Sequence, residues 1–151
     1  MDLILWRHAE AEDAVPGRIG DQARALTEHG HKQARKMAGW LKKHLPADCR
    51  ILVSPAARTQ QTVAALGLPF VTDTEIGTAS NARRVLKAAR WEPAGKGTVL
   101  VVGHQPTLGE VASLLLAGEA ADMSIKKGAV VWIASNPDGN KLHKAITPGD
   151  L

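Results

Sequence analysis

Three short stretches of the 151-residue chain set charged or imidazole side chains directly behind an apolar run. Arg7 and His8 follow LILW (3–6). Ser54 and, one helical turn on, Arg58 follow RILV in SPAART, and His104 follows TVLVV in GHQPT. A guanidinium fork binds the oxygens of a phosphate in pairs. An imidazole serves as nucleophile, proton carrier or hydrogen-bond donor. Brought together, these residues suit phosphoryl transfer through a histidine. Taken singly, each stretch has a plainer reading: a solvated strand cap, a helix start with proline in its first turn, or a turn before Pro106. All three fall at the same kind of position, and that shared placement gives the set its meaning.

The runs themselves read as strands. LILW (3–6), RILVS (50–54), PFVT (69–72), TVLVV (98–102) and AVVWIA (129–134) are short, rich in β-branched or aromatic residues, and bounded by Gly, Pro or polar residues. KLHKAI (141–146) follows the turn-rich NPDGN and predicts a hairpin with the strand before it. Between them lie amphipathic helices. Ala34, Met37, Ala38, Leu41 and Leu45 share a face behind Thr27 as N-cap. Ala82, Val85, Leu86 and Ala89 repeat the pattern after Ser80. Leu108, Val111, Ala112 and Leu115 do so after Thr107, with Glu110 completing a capping box. Near-continuous apolar strands alternating with helices predict one α/β domain over residues 1–151. Its expected form is a three-layer α/β/α sandwich around a mostly parallel central sheet. Ligands of such sheets sit at the carboxyl ends of the strands, where the arginines and histidines stand.

Composition narrows the function. Lys+Arg exceed Asp+Glu by 19 − 15 = 4, and the excess is spread along the chain. With no dense basic block, no Tyr and one Phe, the chain offers nucleic acid no electrostatic track and little aromatic surface for stacking, so nucleic-acid binding is not expected. No apolar run approaches the ~18 residues of a membrane span, and LILW is too short for a signal-peptide core. The expected location is cytoplasmic. Cys49 stands alone, which excludes an intrachain disulfide. His29 and His31, two apart near a helix start, face different sides and make no metal site. Lys126 and Lys127 read as a solvated charge pair, with an acidic partner as the alternative.

Four ordered motifs carry a family likeness: RHAEAE (7–12), ALTEHGHKQA (25–34), SPAARTQQT (54–62) and VVGHQPTLGEVA (101–112). Through them the chain resembles the histidine phosphatase superfamily, above all its short branch of SixA-type protein-phosphohistidine phosphatases. The resemblance runs over nearly the whole chain. It implies a phosphoglycerate mutase-like fold and His8 as the nucleophile that becomes phosphorylated. Arg7, Arg58 and His104 would hold the equatorial oxygens, and water would then hydrolyse phospho-His8. It implies no metal and no other cofactor. The family's usual motif is Arg-His-Gly, and here the third residue is Ala9. Alanine still supplies the carbonyl that orients the nucleophile, provided its φ is negative.

Larger relatives place a glutamate after the third strand as general acid. In DTEIGTASNA (73–82), Glu75 falls a turn early and Thr78 stands near that place. Glu10, two residues past His8, is the other candidate acid. Without a firmly placed acid an alkoxide leaves poorly. A phosphorylated imidazole protonated on its other nitrogen departs as the neutral ring, whose conjugate acid has a pKa of about 6.5. The segment from Arg58 to His104 also leaves no room for a substrate lid. Both features favour phosphate carried on a histidine-containing protein, such as a phosphotransfer domain, over a small ester. The alternatives are a small-molecule phosphomonoesterase using the same residues, and a phosphate-binding module without turnover.

Overall fold

Leu3, Ile4, Leu5 and Trp6 are apolar without alternation, so the strand they form must be covered on both faces. A computed structural model, which describes all 151 residues, shows all four fully buried. The strands are β1 (Asp2–Arg7), β2 (Arg50–Val53), β3 (Val71–Thr72), β4 (Thr98–Gly103), β5 (Val130–Asn136) and β6 (Gly139–Ile146). They form one sheet in the order β3-β2-β4-β1-β5-β6. The first four in that order are parallel, β5 is antiparallel to β1, and β6 returns from it as a hairpin.

The helices are α1 (Glu28–His44), α2 (Ala57–Ala64), α3 (Ala82–Ala88) and α4 (Thr107–Ala117). Alternate side chains of β1 divide between the two faces of the sheet. Leu3 and Leu5 join Val99, Val101, Val85, Leu108 and Val111 beneath α3 and α4. Ile4 and Trp6 join Leu100, Val102, Met37, Leu41 and Val63 beneath α1 and α2. The result is three layers with two cores and a central strand common to both. No helix is long and apolar enough to cross a membrane.

Local details differ from the sequence reading in three places. β3 is only Val71–Thr72, because it lies at the sheet edge beside Pro69, which has no N–H to give a ladder. Asn81, not Ser80, caps α3, its side chain accepting the Arg84 N–H at 3.0 Å. The Thr107–Glu110 capping box does not form. Thr107 is already inside α4, behind Pro106, and Gln105 instead accepts the Gly109 N–H at 2.7 Å.

Thr27 does cap α1, its Oγ1 accepting the Gly30 N–H at 2.9 Å. The Thr27 N–H donates in turn to the Glu10 carbonyl at 3.0 Å, just beyond His8. This seats the first turn of α1 against the backbone that leaves β1. Gly30 is required there, since a Cβ would lie 1.9 Å from the Glu10 carbonyl oxygen. Gly30→Ala is expected to lower the unfolding free energy by about 1–3 kcal/mol, the usual cost of overpacking. Gly39→Ala, on an open side of the same helix, is expected to stabilise by up to about 1 kcal/mol. Urea denaturation of the two variants checks both signs.

Candidate active site

The register of the sheet sets the site. β1 pairs Arg7 with Gly103, and β2 pairs Val53 with Val102, so three adjacent strands end nearly level. The next residue on each is His8, His104 or Ser54. The His8 N–H donates to the Gly103 carbonyl and the Ser54 N–H to that of Val102, each at 3.1 Å. Arg58 rises from the first turn of α2. The rings of His8 and His104 have centroids 5.4 Å apart. With Arg7 and Arg58 they line one cleft of about 330 Å³.

Each side chain is braced. His8 Nδ1 lies 2.7 Å from the Ala9 carbonyl oxygen. A carbonyl only accepts, so Nδ1 carries the proton and Nε2 keeps its lone pair. Ala9 is fully buried, and its N–H donates to Thr62 Oγ1 at 3.1 Å. Its φ is negative, the non-glycine residues at positive φ being Arg90 and Ala94. Alanine therefore sits in this position without backbone strain.

His104 Nε2 lies 2.7 Å from Ser54 Oγ, which also accepts the Ala56 N–H at 3.3 Å. With the Ser54 hydroxyl donating to His104 Nε2, the ring proton would stand on Nδ1. That atom is buried with no protein partner, as are Nε of Arg7 and Nε of Arg58. Arg7 Nη1 is tied to the Ile125 carbonyl at 2.8 Å. The site therefore has donors left over and no protein acceptor for them, the condition an oxyanion would relieve.

Burial pushes the pKa of His8 down to about 4; the Ala9 hydrogen bond opposes this, and the charges of Arg58 and Arg7 add to it. Burial pushes that of His104 to about 3, with Arg58 again adding. Both rings are neutral at neutral pH. Cys49 offers no rival nucleophile. It lies in an apolar groove with Leu45, Ile51 and Leu68, and burial pushes its thiol up to about 11.

The histidine phosphatase superfamily (branch 1) model matches residues 3–78. The chain is also 32% identical to a phosphohistidine phosphatase SixA homolog of Haemophilus influenzae, with 96% of each chain covered. It belongs to the histidine phosphatase superfamily. Phosphohistidine phosphatase SixA of Escherichia coli is 31% identical, over 93% of this chain and 89% of that one. A solved structure of the protein histidine phosphatase SixA complexed with tungstate superposes with a TM-score of 0.82 at 25% identity, covering 99% of both chains. The chain is thus a phosphatase of the SixA-type branch, with the α/β fold of the superfamily.

In this SixA-type phosphatase the four expected residues, Arg7, His8, Arg58 and His104, meet in one cleft. The two candidate acids do not join them. Glu10 Oε1 accepts from Thr27 Oγ1 at 2.8 Å, at the start of α1. Glu75 Oε2 accepts from Arg84 Nε at 2.6 Å, on an exposed surface. Each carboxylate is held by a donor outside the cleft. Thr78 does line the cleft, as does Lys127, an exposed charge at its rim. Asp21 and Arg24 line it too, although no motif marks them. Only their opposite charge and i,i+3 spacing in DQAR point to them.

Because both site histidines have pKa values depressed from 6.5, the unfolded chain binds protons that the folded one refuses as pH falls below that value. Stability is expected to be complete above about pH 6.5 and to decline toward pH 4. Imidazole NMR resonances of the ligand-free protein should show His8 and His104 neutral at pH 5.5, with midpoints near 4 and 3.

Proposed function

We propose that this phosphatase removes phosphate from phosphohistidine on proteins through a phospho-His8 intermediate, without a metal ion. The observation that carries the reading is the bond from His8 Nδ1 to the Ala9 carbonyl. It leaves a neutral Nε2 lone pair in a cleft lined by Arg7, Arg58 and His104. The names of the Haemophilus influenzae and Escherichia coli relatives support the substrate class.

In the first step His8 Nε2 attacks phosphorus in line, the Nε2–P bond forming as the substrate's P–N bond breaks. The departing imidazole, already protonated on its other nitrogen, leaves as the neutral ring. In the second step water attacks phosphorus, the Nε2–P bond breaks, and phosphate is released with His8 restored. Phosphoryl transfer has a loose transition state, so positioning and charge neutralisation supply most of the rate. Arg7, Arg58 and the Nδ1–H of His104 neutralise the equatorial oxygens, which is why a divalent cation is not needed.

Leaving-group chemistry supports phosphohistidine over alkyl esters. Neither Glu10 nor Glu75 lines the cleft, and Asp21, the carboxylate that does, is held ionised by arginines. An alkoxide would depart here without a protonated carboxyl to donate to it. The cleft is also open, with only the rest of α2, β3, a short 3-10 turn (Thr74–Ile76) and α3 between Arg58 and β4, so a histidine on a protein surface can enter it.

Labelled substrate quenched in alkaline denaturant, where a phosphoramidate survives, should leave phosphate on His8, and His8→Ala should abolish both label and turnover. Arg58→Ala should cost about 2.7–4 kcal/mol of transition-state stabilisation, in the range of other oxyanion contacts. In a panel assay, a phosphorylated phosphotransfer domain should exceed phosphoserine, phosphoglycerate and a sugar phosphate in kcat/KM. An alkyl ester ahead by tenfold, about 1.4 kcal/mol in the barrier, would replace this substrate assignment with the small-molecule one.

A further inference from the structure

Asp21 is the one carboxylate in a cleft whose charged lining is otherwise Arg7, Arg24, Arg58 and Lys127. Its two oxygens go to different arginines, Oδ1 accepting from Arg24 Nη1 at 3.1 Å and Oδ2 from Arg58 Nη2 at 3.2 Å. Its backbone carbonyl takes Arg58 Nη1 at 2.8 Å. Arg58 has no other acceptor in the protein, although its side chain is only 5% exposed. Arg24 is held from the far side as well, its Nε donating to the Glu12 carbonyl at 2.7 Å. Glu12 is fixed in turn by its N–H on the Ala25 carbonyl at 2.8 Å. The segment from Glu12 to Ala25 is thus closed on itself, and Asp21 yokes it to α2.

Partial desolvation pushes the Asp21 carboxyl up, but the hydrogen bonds and charges of Arg24 and Arg58 outweigh it and hold the group below the ordinary carboxylate range. A phosphate dianion that reaches Arg58 meets this fixed negative charge beside it.

We propose that Asp21 is a positioning residue that aims Arg58 and Arg24 into the cleft and, by its charge, keeps product phosphate weakly held. The inference rests on the reading of the cleft as a phosphoryl-transfer site. Its logic is differential binding. An arginine aimed in advance acts on the charge distribution of the transition state, whereas tight binding of the free dianion would only slow release.

The test is calorimetric titration of inorganic phosphate into the 151-residue protein, with steady-state kinetics on a phosphorylated histidine-containing phosphotransfer domain. Asp21→Asn keeps the size and the backbone carbonyl but removes the charge. It is expected to bind phosphate at least fivefold more tightly while kcat falls several-fold. A defect of loop structure alone would weaken both. Asp21→Glu, which restores the charge, is expected to return phosphate affinity toward the wild-type value. Phosphate affinity in Asp21→Asn that is unchanged or weaker overturns the inference, as does a wild-type kcat. Arg58→Ala tests the underlying reading separately. If it binds phosphate as the wild type does, the cleft is not the phosphate site and the proposed function falls. If it loses phosphate while Asp21→Asn behaves as the wild type, only the role of Asp21 falls.

Discussion

A single buried hydrogen bond, from His8 Nδ1 to the carbonyl of Ala9, governs what the cleft is able to do. An imidazole free to rotate or change tautomer would present its lone pair to the cleft only part of the time. Here the carbonyl admits one tautomer, and burial among cations keeps the ring neutral well below physiological pH. A ring held in this way suits the proposed nucleophile, with no proton to lose before attack. Much of the surrounding structure serves this bond. Thr62 of α2 holds the Ala9 N–H, and the first turn of α1 presses against the next peptide through Gly30.

The same economy appears at His104. The Ala56 N–H, the Ser54 hydroxyl and the imidazole form a short hydrogen-bonded chain that fixes the ring between β2 and β4. None of these groups would meet without the strand order, which sets β4 between β2 and β1. Sheet register and side-chain chemistry are thus one constraint. Slipping β4 by a residue would carry His104 away from Ser54 and turn its valines to the opposite cores.

The meeting of Arg7, His8, Arg58 and His104 in one cleft was legible because most of them stand where hydrophobic patterning changes abruptly. LILW ends at Arg7 and TVLVV ends two residues before His104, so strand ends and cleft residues share one signal. The parallel sheet, its terminal hairpin and the Thr27 cap follow from local pattern in the same way. The acids did not, because a carboxylate's role depends on which donor reaches it first. Thr27 claims Glu10 and Arg84 claims Glu75, and neither pairing is written in a motif. Asp21 was hidden for the converse reason. It lies in a polar segment without periodicity, and its importance comes from Arg58, thirty-seven positions away. The misplaced cap at Thr107 was a boundary error: the strand-to-helix turn runs through Pro106, and Gln105 takes over the capping.

The composition of the cleft wall has a pharmacological consequence. Ala11 is the only apolar side chain among its lining residues. A drug-like molecule would find no greasy surface to cover there, so its shape would contribute little to its hold. Affinity must come from oppositely charged groups. Counter-ions compete with such groups at the open mouth, where the screening length is about 8 Å at physiological ionic strength. Compact oxyanions are the natural inhibitors of such a wall, and the salt content of the medium acts as a dial on how fully they occupy it.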